Sequence, residues 1–113
     1  MGKIIFSLVI VIHGLIHLLG FVKAYDLAPV EQLTENISKT AGLIWLLVCI
    51  LFLVTVFLYF TQNDVWWVVG LVAVIISQVL IILSWSDAKA GTIANIIIVI
   101  PIIIAIADHL PDN

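Results

Sequence analysis

The chain has 113 residues, 65% of them hydrophobic and only 10% charged, which is too little polar surface for a water-soluble fold of this size. A net charge of −3 gives no reason to expect nucleic acid or another polyanion as partner, and the single cysteine, Cys49, excludes an intrachain disulfide. A lipid bilayer is the solvent that fits.

Four apolar runs predict membrane helices over residues 4–24, 40–60, 65–85 and 88–107, each near the roughly 20 residues needed to cross about 30 Å of hydrocarbon. The acidic residues all fall between or beyond these runs, and the lysines lie beyond them or within two residues of their ends. Many residues are Ile and Val, which favour strands in water, but a backbone in lipid must bond within its own segment, so helix prevails. The expected fold is an all-α, single-domain bundle of four antiparallel spans. The first run is too long for a typical signal peptide and is followed by a poor cleavage sequence, so it is read as a retained helix.

Between the first two spans, Pro29 is expected to open a short amphipathic helix with Val30, Leu33 and Ile37 on one face. It would lie on the membrane surface or form a lid over a site below. Ser38 or Thr40 should cap the second span, with Trp45 as an interfacial indole. The 61–64 turn makes the second and third spans antiparallel neighbours, while Trp66, Trp67 and Trp85 supply aromatic belts. Gly70, Ala73, Ser77 and Ser84, then Ala88, Gly91, Thr92 and Asn95, form small and polar packing faces. Pro101 removes a backbone bond inside the fourth span, where a kink or loosened last turn is expected.

Depth along each helix carries the functional reading. His17 stands six residues before Lys23, Asn95 six after Lys89 and Gln78 seven before Trp85, which places all three about 9–11 Å below one interface. His13 is about 15 Å deep and shares a helix face with His17. Ser77 and Thr92 lie close to this layer, and unsatisfied polar groups are costly in hydrocarbon. The expectation is therefore a polar pocket between the first, third and fourth spans, lined by His13, His17, Ser77, Gln78, Thr92 and Asn95. Asp87 and Lys89 would stand at its mouth, Asp87 also capping the fourth span.

Two readings of that layer compete. The same groups serve as interhelical glue, or His13, with a side chain that titrates near neutrality, carries protons or binds a polar head. Metal ligation lacks a third ligand, because His109 is at the far end of its helix, and bis-histidine haem lacks a histidine on a facing span. No metal or other cofactor is expected. Nucleophilic triads, phosphate loops and basic nucleic-acid patches are absent, so the reading leans away from an enzyme.

The stretches HGLIHLLGFVKAYDL and SWSDAKAGTIANIIIVIP resemble those of uncharacterised small bacterial four-span membrane proteins, broadly similar to DoxX-like proteins. This resemblance implies a bacterial inner-membrane protein and draws attention to His13, His17, Asp87, Lys89, Gly91 and Asn95. In length and helix number the chain is also similar to small multidrug-resistance transporters, which pair as dimers and use an acidic residue in the first helix. Only His13 and His17 stand in that region here, which argues against export of cationic drugs.

Three function classes follow: a binder, transporter or sensor of a small or lipid-like ligand, which leads; a structural or assembly subunit whose polar residues lock helices; and a quinone-linked or redox membrane component. Small-residue faces give the chain a means of pairing as a homodimer. Lys23, Lys39 and Lys89 on one side against Lys3 on the other predict both termini on the non-cytoplasmic side.

Overall fold

The computed structural model describes residues 2–110 as helices joined by turns, and among these residues there is no strand. The elements are α1 (Gly2–Ala24), α2 (Lys39–Phe60), α3 (Trp66–Leu83), the one-turn α4 (Trp85–Ala88) and α5 (Gly91–His109). The four longer helices are long and apolar enough to cross a membrane. They form a closed bundle in which α1 packs on α2, α2 on α3, α3 on α5 and α5 back on α1, with extents of 50 × 25 × 23 Å.

Polarity is arranged for lipid. Ile5, Leu8, Ile12 and Leu15 face outward on α1, whereas Ser7, His13, Gly14, His17 and Gly20 are buried. Lipid gives aliphatic side chains no reason to leave it, and the inner face of α1 is accordingly made mostly of small and hydrogen-bonding residues. A Cβ on Gly20 would land on the Trp45 indole, one on Gly14 would come within 2.9 Å of Phe52 Cβ, and one on Gly42 would strike the Ala24 methyl. These glycines let α1 and α2 approach closely. The sequence reading placed close packing on the third and fourth spans, where Gly70, Ala73, Ser77 and Asn95 are indeed buried, and missed this second seam.

The C-terminal ends of α1 and α2 close in the same way. After α1, Asp26 adopts φ 52° while its N–H donates to Lys23 O and that of Leu27 to Val22 O; after α2, Gln62 adopts φ 59° with Gln62 to Tyr59 O and Asn63 to Leu58 O. This is the Schellman arrangement, which satisfies the last carbonyls of a helix. Ser38 caps α2, accepting from Ala41 N–H at 3.1 Å.

Several boundaries differ from expectation. The segment 25–38 contains turns but no helix, because the Thr34 and Glu35 N–H groups are drawn to Asp87 rather than to a preceding turn. It stays amphipathic all the same, with Leu33 buried and Glu31 and Glu35 exposed. The third span stops at Ser84 (φ −118°, ψ 38°), so residues 85–88 form a separate turn and the fourth span starts at Gly91. α5 runs through Pro101 as one helix.

Towards the α2–α3 turn, Phe6, Tyr59 and Trp66 pack edge to face, with Phe6–Tyr59 and Tyr59–Trp66 centroids 5.1 and 4.9 Å apart. Above them Ile10, Phe52, Ala73, Ile98 and Ile102 form a fully buried layer across all four long helices.

Candidate functional site

The sequence-predicted polar residues of α1, α3 and α5 meet in one hydrogen-bonded cluster. His13 Nε2 stands 2.9 Å from Asn95 Oδ1, and His17 Nε2 2.7 Å from Ser77 Oγ. Asn95 Nδ2 donates to Ser77 Oγ at 3.1 Å and Gln78 Oε1 at 3.0 Å, and Gln78 Nε2 donates to Thr92 Oγ1 at 3.0 Å. His17 Nδ1 donates to the His13 carbonyl at 2.7 Å, one turn back on the same helix. The two imidazoles lie edge to face at 4.6 Å, as their spacing of four requires.

The donors and acceptors assign the protons. A carbonyl only accepts, so His17 carries its proton on Nδ1 and takes the Ser77 hydroxyl proton at Nε2. Asn95 spends both amide protons on Ser77 and Gln78, leaving Oδ1 to accept from His13, which therefore carries its proton on Nε2. Every bond in the cluster is made with both histidines neutral, as a site within hydrocarbon favours.

A cavity of about 450 Å³ lies against one side of the cluster, within the range of small-ligand pockets. His13 and His17 reach it; Ile16, Leu19, Leu33, Trp45, Ile81, Ala88, Ala90, Gly91 and Ala94 give it mostly apolar walls; and Gln32 and Asp87 are at its rim. Ser77, Gln78, Thr92 and Asn95 do not line it. They stand behind the histidines and hold them. Lys89 is exposed and also outside the lining, a departure from its expected place at the mouth.

Trp45 is the residue whose role was misread. Expected at the interface, its ring is 4% exposed and lies 5.2 Å from that of His17, in the slot left by Gly20. The depth arithmetic contained the signal: Trp45 is six residues into α2, about 9 Å down and level with the polar layer.

The 25–38 segment roofs the cavity and is tied down at two points. Lys23 Nζ donates to Leu33 O at 2.6 Å, and the Asp87 carboxylate accepts from Thr34 N–H (2.8 Å), Thr34 Oγ1–H (2.7 Å) and Glu35 N–H (3.0 Å). Asp87 thus latches the roof instead of capping the fourth span, whose first turn has no side-chain cap. The Thr34 hydroxyl, aided by the Glu35 amide, holds the Asp87 carboxyl below its ordinary value of 3.8. A carboxyl lowered in the folded state contributes stability that is whole above that ordinary value and is lost as pH falls through the lowered one. Hydrogen exchange at the Thr34 and Glu35 amides should accordingly stay slow from neutral pH down to about 4 and then accelerate, after correction for intrinsic exchange; in Asp87→Ala it should be fast throughout. Equal protection in the variant would show that the latch does not hold the roof.

Among the described residues no group of three or more His, Cys, Asp or Glu side chains is placed to hold a metal ion. Fold and site together define a multi-pass membrane protein, a four-span helical bundle with a buried polar cluster beside a roofed cavity. Comparison with models of known protein families, with curated proteins and with solved structures finds no match.

Proposed function

We propose that this protein binds a small or lipid-like molecule in the cavity beneath the 25–38 roof, with His13 and His17 as the polar contacts and Ser77, Gln78, Thr92 and Asn95 as the groups that orient them. One observation carries the reading: the two histidines, each at most 4% exposed, are the deep polar groups turned toward an otherwise apolar cavity of about 450 Å³. A bundle that needed only a helix lock would have no use for the space. The likeness to DoxX-like proteins favours a bacterial inner membrane, and the lysine distribution favours both termini on the non-cytoplasmic side.

The competing reading, a purely structural lock in an assembly subunit, draws support from the four cluster residues that bond to one another and not toward the cavity. Substituting Ala94, which lines the cavity, separates the two. The wild-type protein should carry a copurifying adduct in native mass spectrometry, which Ala94→Phe should abolish by filling the space and Lys89→Ala should keep. An adduct retained by Ala94→Phe, or none on the wild type, would favour the lock. A coloured preparation or a bound metal would instead favour the redox component.

A further inference from the structure

The bonding pattern of the cluster constrains what the cavity takes. His17 uses both ring nitrogens, one on the His13 carbonyl and one on Ser77, and His13 gives its only proton to Asn95. What remains is His13 Nδ1, a lone-pair acceptor with no hydrogen-bond partner in the protein. It also keeps access to space. Among the described residues the one fully occluded side-chain nitrogen or oxygen without a partner is Trp67 Nε1, at the other end of the bundle, and His13 itself lines the cavity.

From this unfilled acceptor the geometry points to a ligand that is uncharged and apolar over most of its length and ends in one hydroxyl, an alcohol or a phenol, which donates to His13 Nδ1. The inference rests on the proposed cavity function and narrows it. A carboxylate or phosphate would face the Nδ1 lone pair and find the Trp45 indole N–H as its one unspent donor beside the histidines, too little to replace the hydration of a full charge, and an amine cation would meet no fixed negative charge there. Asp87, the acid at the rim, is already engaged by three donors from the roof. An ether or ester of the same shape would fit the walls but leave Nδ1 unsatisfied, and a lost neutral hydrogen bond of this kind is worth about a factor of ten in affinity.

The test uses the full chain in lipid nanodiscs, with nitrogen-15 in the histidines. In the free protein the two histidines should show opposite neutral tautomers, His13 protonated at Nε2 and His17 at Nδ1. Naphthol and octanol, added separately, should move the His13 Nδ1 resonance in the direction of an accepted hydrogen bond and leave His17 in place. Each should bind about tenfold tighter than its methyl ether, and Ala94→Phe should abolish both effects. Whichever of naphthol and octanol gives the larger response distinguishes a phenol from an aliphatic alcohol. Ethers that bind as tightly as the hydroxyl compounds, an unmoved Nδ1 signal, or His13 protonated at Nδ1 would overturn the hydroxyl inference while leaving the cavity reading intact. Failure of every probe to occupy the cavity, or binding indifferent to Ala94→Phe, would overturn both.

Discussion

Asn95→Leu should destabilise the bundle by about 2 kcal/mol or more, the sum expected when several membrane-buried hydrogen bonds are lost and their partners left behind. Asn95 is the junction of the cluster: its amide reaches Ser77 and Gln78 on α3, and its carbonyl receives His13 from α1. Leucine conserves approximate volume, so cavity formation contributes little and the loss is one of polar satisfaction. The His13 Nε2–H and the Gln78 carbonyl would both be stranded in a nearly dry interior, which costs more than the bonds themselves contribute. Unfolding measured in mixed micelles or by steric trapping reads the effect, and Ser77→Ala should cost less, because Asn95 still bridges α1 to α3. A change below about 0.5 kcal/mol in Asn95→Leu would mean that the cluster is satisfied by water rather than by its own members.

Gly20→Leu is expected to cost about 3 kcal/mol, at the upper end of overpacking effects, because its first side-chain atom falls on the indole of Trp45 and not on a flexible side-chain tip. The ring cannot step aside without leaving His17, against which it lies, and without narrowing the cavity it lines. Trp45→Ala should restore part of the loss in the double variant, giving a coupling of about 1 kcal/mol or more between two residues on different helices. Purely additive losses would show that Gly20 matters for its own helix and not for the space it leaves.

Most of the site was legible before any coordinates, for a reason specific to membranes. Spans of fixed rise crossing a slab of fixed thickness turn residue number into depth, so His17, Gln78 and Asn95 could be assigned one level from their distances to Lys23, Trp85 and Lys89. Costly burial of polar groups then points them inward, and Ser77, Thr92 and His13 join them through bonds of 3.1 Å or less. Depth alone carries no rotation about the helix axis. It therefore could not tell that only the histidines turn toward open space while the amides turn toward each other. Trp45 was lost to a habit of reading membrane tryptophans as interfacial, although its depth matched the layer. The roof was lost for a different reason: Pro29 and the apolar spacing favoured a helix locally, and only the remote Asp87 carboxylate, 53 residues from Thr34, reveals where those N–H groups go.

The solid tier formed by Ile10, Phe52, Ala73, Ile98 and Ile102 sits between the histidines and the aromatic end of the bundle. It makes the chamber a cul-de-sac. On the proposed reading, a ligand at His13 would leave by the side it entered. Passage to the opposite face would then demand rearrangement of this close-packed layer, so the proposed binding role is favoured over transport.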